Sequence, residues 1–70
     1  MKKVKLSTGK TIEIREPKVR DMRIVSTFKD EVEKEINLIA NLTGLTLEEI
    51  DELSLRDYSL FQTELKTFLS

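Results

Sequence analysis

Two short stretches near the N-terminus, residues 3–6 and 11–14, alternate between apolar and polar side chains. A period of two places the apolar side chains on one face of a β-strand. Gly9 lies between the stretches and suits a short hairpin loop. The pattern therefore predicts a β-hairpin over residues 1–16. Its apolar face consists of Val4, Leu6, Ile12 and Ile14. Because two strands alone are marginally stable, this face must be covered by helices or by another chain.

The next segment has the spacing of a short helix. Pro17 ends the second strand, because proline lacks the N–H that a strand ladder needs, and it suits the entry to a helix. Val19, Met22 and Val25 then recur at intervals of three. These positions predict a first helix whose apolar face is directed toward the core.

Three further helix starts carry capping signals, in which a residue with a short polar side chain is followed three residues later by an acidic residue. The pairs are Asp30 with Glu33, Thr46 with Glu49, and Ser54 with Asp57. Gly44 occupies a position where a left-handed residue ends a helix. Apolar residues at helical spacing follow each start. The remainder of the chain, residues 17–70, is therefore predicted to be helical.

The predicted fold class is α+β, with an N-terminal β-hairpin followed by three to four short α-helices. No linker interrupts residues 1–70, so we expect a single small domain, with the hairpin in 1–16 and the helical part in 17–70. A core of this size supplies roughly 3–5 kcal/mol, and self-association is a common remedy for so small a margin. We therefore expect a homo-oligomer.

The residue types that carry most enzyme chemistry are missing. The chain has no histidine, no cysteine and only two glycines. It therefore lacks the commonest general base, thiolate ligands and a glycine-rich phosphate loop. We predict no enzymatic activity, no metal and no cofactor. No apolar run approaches the ~20 residues of a membrane span, and no signal peptide precedes the strands, so a cytoplasmic protein is expected.

The net charge of −1 conceals an asymmetry along the chain. Residues 1–29 carry nine Lys/Arg against three acidic residues, for a net +6, whereas residues 30–70 carry three against ten, for a net −7. Either the two halves fold together and partly neutralise each other, or the surface is bipolar and favours head-to-tail self-association or a charged partner.

Several apolar residues do not fit a single core-facing stripe. Leu38 and Leu42 widen the apolar arc of the second predicted helix, and Leu60 falls outside the main face of the last one. Phe61 and Phe68 crowd the end of the chain. One interpretation places all of them in the core. The other makes them an exposed patch that binds a partner or a second copy, and it gives Leu38, Leu42, Leu60, Phe61 and Phe68 as candidate partner-binding residues.

A nucleic-acid partner fits the sequence less well. Residues 42–65 could be drawn as a helix-turn-helix, whose recognition helix should be basic where it meets phosphates. The recognition helix would carry Arg56 and Lys66 against Asp57 and Glu64, and the helix before it is strongly acidic. The basic hairpin lacks the interleaved aromatic residues of a stacking platform. We therefore do not expect nucleic acid to be the main partner.

Two blocks, residues 14–22 (Ile-Arg-Glu-Pro-Lys-Val-Arg-Asp-Met) and residues 38–58, resemble the small tail assembly chaperones of contractile-tailed (myovirus-type) phages and prophages. The resemblance implies a protein of the host bacterial cytoplasm that binds the tape measure protein and keeps it soluble during tail assembly. It also implies absence from the mature virion. The alternative is a small protein-interaction or regulatory domain, phage-borne, with weak nucleic-acid contact.

Overall fold

The computed structural model describes the backbone of residues 2–69 and the side chains of residues 2–68. It confirms the α+β prediction, with an antiparallel β-hairpin followed by four helices. The strands are β1 (Lys2–Lys5) and β2 (Thr11–Ile14), and the helices are α1 (Val19–Val25), α2 (Glu31–Thr43), α3 (Leu47–Asp51) and α4 (Leu55–Leu69). Within this described part of the chain, no helix has both the length and the apolar character needed to cross a membrane.

The hairpin forms as its alternation predicts. Val4 lies opposite Ile12 in the antiparallel register. The loop is closed by the Leu6 N–H, which donates to the Lys10 carbonyl at 2.8 Å, and by the Gly9 N–H, which donates to the Leu6 carbonyl at 2.9 Å. Gly9 has φ +92°, a left-handed conformation that glycine adopts without steric cost. All four apolar residues of the predicted face are buried.

The core forms where the hairpin meets α2 and α4. Ile14 of β2, Ile39 of α2 and Phe61 of α4 are fully buried. The buried cluster comprises Val4, Leu6, Ile12, Ile14, Ile39, Leu42, Ile50, Phe61 and Leu65. The helices thus cover the apolar face of the hairpin, as a two-stranded sheet requires.

Two of the predicted helix starts are capped as expected. The Asp30 carboxylate accepts hydrogen bonds from the backbone N–H groups of Val32 (2.8 Å) and Glu33 (3.3 Å). Thr46 and Glu49 form a reciprocal capping box, with distances of 3.1 Å and 3.0 Å. These bonds satisfy N–H groups that the first turn of a helix leaves without partners. At the other end of α2, Gly44 has φ +80°, as its predicted left-handed role requires.

The third start signal is used differently. The Ser54 hydroxyl accepts from the Asp57 N–H at 3.2 Å, as predicted. The Asp57 carboxylate, however, accepts from the backbone N–H of Ser7 at 2.9 Å and from the Ser7 hydroxyl at 3.0 Å. These hydrogen bonds lower the pKa of Asp57, the backbone bond most strongly, against the opposing effect of burial. Asp57 therefore joins α4 to the hairpin loop across fifty positions of sequence.

The first helix departs from its predicted packing. Val25 is buried, but Val19 is 75% exposed and Met22 is 58% exposed. The helix has seven residues and packs mainly against α2, so a single side of it is covered. The expectation that Val19 and Met22 face the core is therefore wrong, and α1 presents apolar side chains to solvent.

Candidate protein-binding surface

A partly buried ion pair fixes the start of α1. Arg15 donates from Nη1 to Asp21 Oδ2 at 2.9 Å and from Nη2 to Asp21 Oδ1 at 2.7 Å. The same carboxylate accepts the backbone N–H of Lys18 at 2.9 Å, and Asp21 is 1% exposed. The Arg15 backbone N–H donates to the carbonyl of Leu42 at 3.0 Å. These contacts hold α1 against the C-terminal end of α2.

The carboxylate of this pair stays ionised over the physiological range. Hydrogen bonds from the Arg15 side chain lower the pKa of Asp21 to about 2, outweighing the effect of burial, which acts in the opposite direction. Because the bidentate guanidinium–carboxylate geometry is directional, the pair sets the position of α1 as well as holding it.

A groove of about 740 Å³ lies between α1, α2 and α4. Its lining contains five apolar residues, Pro17, Met22, Val25, Leu38 and Leu65, and six polar or charged ones, Ser26, Glu31, Lys34, Glu35, Gln62 and Lys66. An apolar groove with polar groups interspersed is the form of site that accepts a helix face of a partner protein.

The apolar residues of the groove differ in how much solvent-exposed surface they offer to a ligand. Val25 and Leu65 are already buried, at 8% and 5% exposure. Leu38 is half-buried and Met22 is the most exposed, at 58%. A partner seated in the groove would therefore remove mainly Met22 and Leu38 from water. Methionine suits such a position because its flexible side chain adapts to irregular surfaces.

Hydrogen bonds hold α4 against α2 beside the groove. The Tyr58 hydroxyl donates to Glu35 Oε1 at 2.6 Å, and Gln62 Nε2 donates to the same oxygen at 2.9 Å. Burial, and secondarily the adjacent Glu35 carboxylate, raises the pKa of Tyr58, so the phenol stays protonated and remains a donor. Glu35 and Gln62 both line the groove. The hydrogen bond between them therefore fixes the position of this side of the groove.

The five candidate partner-binding residues do not form one patch. Leu38 lines the groove. Leu42 and Phe61 lie in the core at 3% and 0% exposure, so a partner cannot reach them unless the core opens. Phe68 is half-buried and packs against the core. Leu60 is 38% exposed, and at 100° per residue it lies about 140° around α4 from the groove residue Leu65.

Leu42 is buried because the hairpin covers the wide apolar arc of α2. The Leu42 carbonyl accepts from the Arg15 N–H, and β2 packs on this part of the helix. Of the two residues that widen the apolar arc of α2, Leu42 is therefore used in a contact with the hairpin, whereas Leu38 lines the groove.

The sequence placed Met22 and Val25 on one apolar face of the first helix and did not indicate that Met22 is exposed. A signal for this exposure exists nevertheless, because four of the seven residues of α1 are apolar: Val19, Met22, Ile24 and Val25. At 100° per residue these positions spread around the whole helix. A helix of this length cannot bury all of them against one neighbour, so some must remain exposed.

Comparison with known proteins agrees with a binding role. A family model described as phage tail assembly chaperone proteins, E, or 41 or 14, matches residues 2–70. No curated protein and no solved structure matches the chain significantly. The family match spans the hairpin and all four helices, and it assigns a general role in phage tail assembly. The chain therefore belongs to the family of phage tail assembly chaperones.

Proposed function

We propose that this chaperone binds the tape measure protein of a contractile-tailed phage or prophage and keeps it soluble until the tail tube assembles around it. It acts in the host cytoplasm, by contact and without catalysis, and it is absent from the mature virion. The family membership and the groove between α1, α2 and α4 support this proposal.

The chemistry of the groove fits an unassembled helical chain. A long amphipathic helix without its partners exposes an apolar stripe, and such stripes aggregate. A groove with exposed apolar side chains can cover one segment of the stripe by the helix-in-groove mode. The observation that carries the proposal is the solvent exposure of Met22 beside the half-buried Leu38, since both would be covered by such a segment.

The remaining surface suits a chaperone that must keep its complex in solution. Twenty-five of the seventy residues are charged, twelve basic and thirteen acidic. A high proportion of charged side chains keeps a protein surface hydrated and disfavours its aggregation. When the chaperone covers an apolar segment of its partner, the complex would therefore present the charged surface of the chaperone to solvent at that place.

Co-expression with the tape measure protein of the same phage tests the proposal. The wild-type chain should bring the tape measure protein into the soluble fraction and co-purify with it. Met22→Asp places a charge where the partner's apolar face should lie, and should weaken binding about tenfold or more. Val32→Asp is the matched control, because Val32 is 61% exposed and does not line the groove.

The effect of a substitution at Leu60, the other exposed candidate residue, shows which surface binds the partner. Leu60→Asp alters the opposite flank of α4, so it should leave binding intact if the groove is the site. Loss of binding with Leu60→Asp but not with Met22→Asp would show that the partner binds the flank of α4 around Leu60 and not the groove. A tape measure protein that stays insoluble and does not co-purify with the wild-type chain would refute the proposed function.

A further inference from the structure

Among the described residues, no salt bridge joins the basic half of the chain to the acidic half. Over residues 2–68 the salt bridges are Arg15–Asp21 and Lys34–Glu31. The first lies within the basic half and the second within the acidic half, so neither joins the two. The two halves still interact at one place, because hydrogen bonds from Thr46 and, to a smaller extent, the positive charge of Lys10 lower the pKa of Glu49.

The outer side of α1 combines basic and apolar residues. Val19, Arg20, Arg23 and Ile24 fall within an arc of about 140°, turned away from the buried Val25. Val19 is 75% exposed and Ile24 is 54% exposed, and both arginines are exposed. Neither arginine makes a salt bridge in the described chain. We call these four residues the basic face.

A surface of opposite charge is formed by α3 and the start of α4. It consists of Leu47, Glu48, Asp51, Glu52 and Leu55, and we call it the acidic face. Leu47 is 47% exposed and Leu55 is 86% exposed, and all three carboxylates are exposed. Lys10 of the hairpin loop lines a second groove of about 580 Å³ together with Glu48 and Glu52, but it forms no salt bridge with them.

We infer that a second copy of this chain docks head to tail, with the basic face of one copy against the acidic face of the next. Each face offers two exposed apolar side chains. The charges beside them are two arginines on the basic face and three carboxylates on the acidic face, where Arg56 and Lys10 offset only part of the negative charge. Such electrostatic complementarity selects the partner and the orientation of a contact. The two faces differ from each other and each copy carries one of each, so the contact is heterologous. Repeating such a contact produces a ring or an open chain.

This contact uses a different side of α1 from the groove. Met22 lines the groove, whereas Val19, Arg20 and Ile24 do not. Self-association therefore does not depend on the proposed binding of a tape measure protein. With two apolar residues on each face the contact is weak. The associated fraction should therefore rise with protein concentration and fall as salt screens the charges.

A charge-exchange experiment tests the inference. Sedimentation velocity of the full chain over a wide range of concentrations should show reversible association that decreases at high salt. Arg20→Glu with Arg23→Glu makes both faces acidic, and Asp51→Lys with Glu52→Lys makes both basic. Each double variant alone should associate about tenfold more weakly or not at all, because like charges then meet. An equimolar mixture of the two should regain association, because each altered face finds its opposite.

The mixture separates this inference from a loss of folding, because misfolded variants would not restore each other's association. Lys2→Glu with Lys5→Glu is the matched control, since it makes the same charge change on the hairpin and should leave association unchanged. A chain that remains monomeric at every concentration and low salt would overturn the inference. So would double variants that associate like the wild type, or a mixture that stays monomeric.

Discussion

Replacing Asp21 by Asn should destabilise the domain while preserving the shape of the side chain. The Asp21 carboxylate accepts two hydrogen bonds from Arg15 and one from the Lys18 N–H, and the residue is 1% exposed. Asparagine can keep the bond to the Lys18 N–H, but it removes the negative charge opposite the guanidinium. The substitution therefore isolates the electrostatic part of the contact that holds α1.

The magnitude follows from the pKa of this carboxyl. Folding lowers the pKa of Asp21 from 3.8 to about 2, chiefly through the hydrogen bonds from Arg15. That difference corresponds to about 2 kcal/mol of stabilisation at neutral pH. The Arg15 side chain is 30% exposed, so solvent screens part of its charge. This screening reduces the expected loss of stability to about 1–2 kcal/mol. For a core that supplies roughly 3–5 kcal/mol, this is a large fraction.

Urea unfolding followed by circular dichroism measures the loss, with Asp51→Asn as the control. Asp51 is exposed and makes no salt bridge in the described chain, so its neutralisation should change the free energy of unfolding little. Because the folded-state pKa is lowered, the contribution of Asp21 is fully present above the unfolded value of about 4. It is lost as the pH falls through about 2. The difference between wild type and Asp21→Asn should therefore shrink across this range.

Two results would refute this reasoning. Unfolding of Asp21→Asn at the same urea concentration as the wild type would mean that the ion pair contributes nothing beyond its desolvation cost. Alternatively, the destabilisation could stay constant from neutral pH to pH 2, which would assign it to altered packing rather than to the charge.

Two further substitutions test the core and a helix cap by the same unfolding assay. Phe61→Ala removes a fully buried ring and should cost about 3–5 kcal/mol, leaving the chain largely unfolded, so a urea midpoint near that of the wild type would contradict the assigned core. Thr46→Ala removes the hydroxyl that accepts the Glu49 N–H and should cost about 1 kcal/mol, whereas Thr63→Ala, an exposed site on α4, should cost less. Equal losses at the two threonines would show that the capping box does not stabilise α3.

The features predicted well from the sequence are those set by neighbouring residues. The alternation of residues around Val4 and Ile12 gave the hairpin, because strand periodicity depends on consecutive positions. Capping at Asp30 and Thr46 was likewise readable, since the side chain and its N–H partners lie within three residues. Local hydrogen bonds thus specify where most elements begin.

The features missed by the sequence depend on how the elements meet. The bond from Ser7 to Asp57 joins residues fifty positions apart, and nothing in either local sequence distinguishes it from a simple cap. The burial of Leu42 follows from the hairpin lying over α2, and the exposure of Met22 follows from α1 packing mainly against α2. Candidate binding residues chosen from helical wheels alone therefore mixed core positions with surface ones.

The central claim is that a partner helix binds in the groove between α1, α2 and α4. The most direct measurement is a titration of the isotopically labelled chaperone with segments of the tape measure protein, followed by two-dimensional amide NMR. A binding segment should shift the resonances of groove residues, with Met22, Ser26 and Leu38 among those most affected. Shifts confined to the opposite flank of α4 around Leu60, or no shifts with any segment, would contradict it.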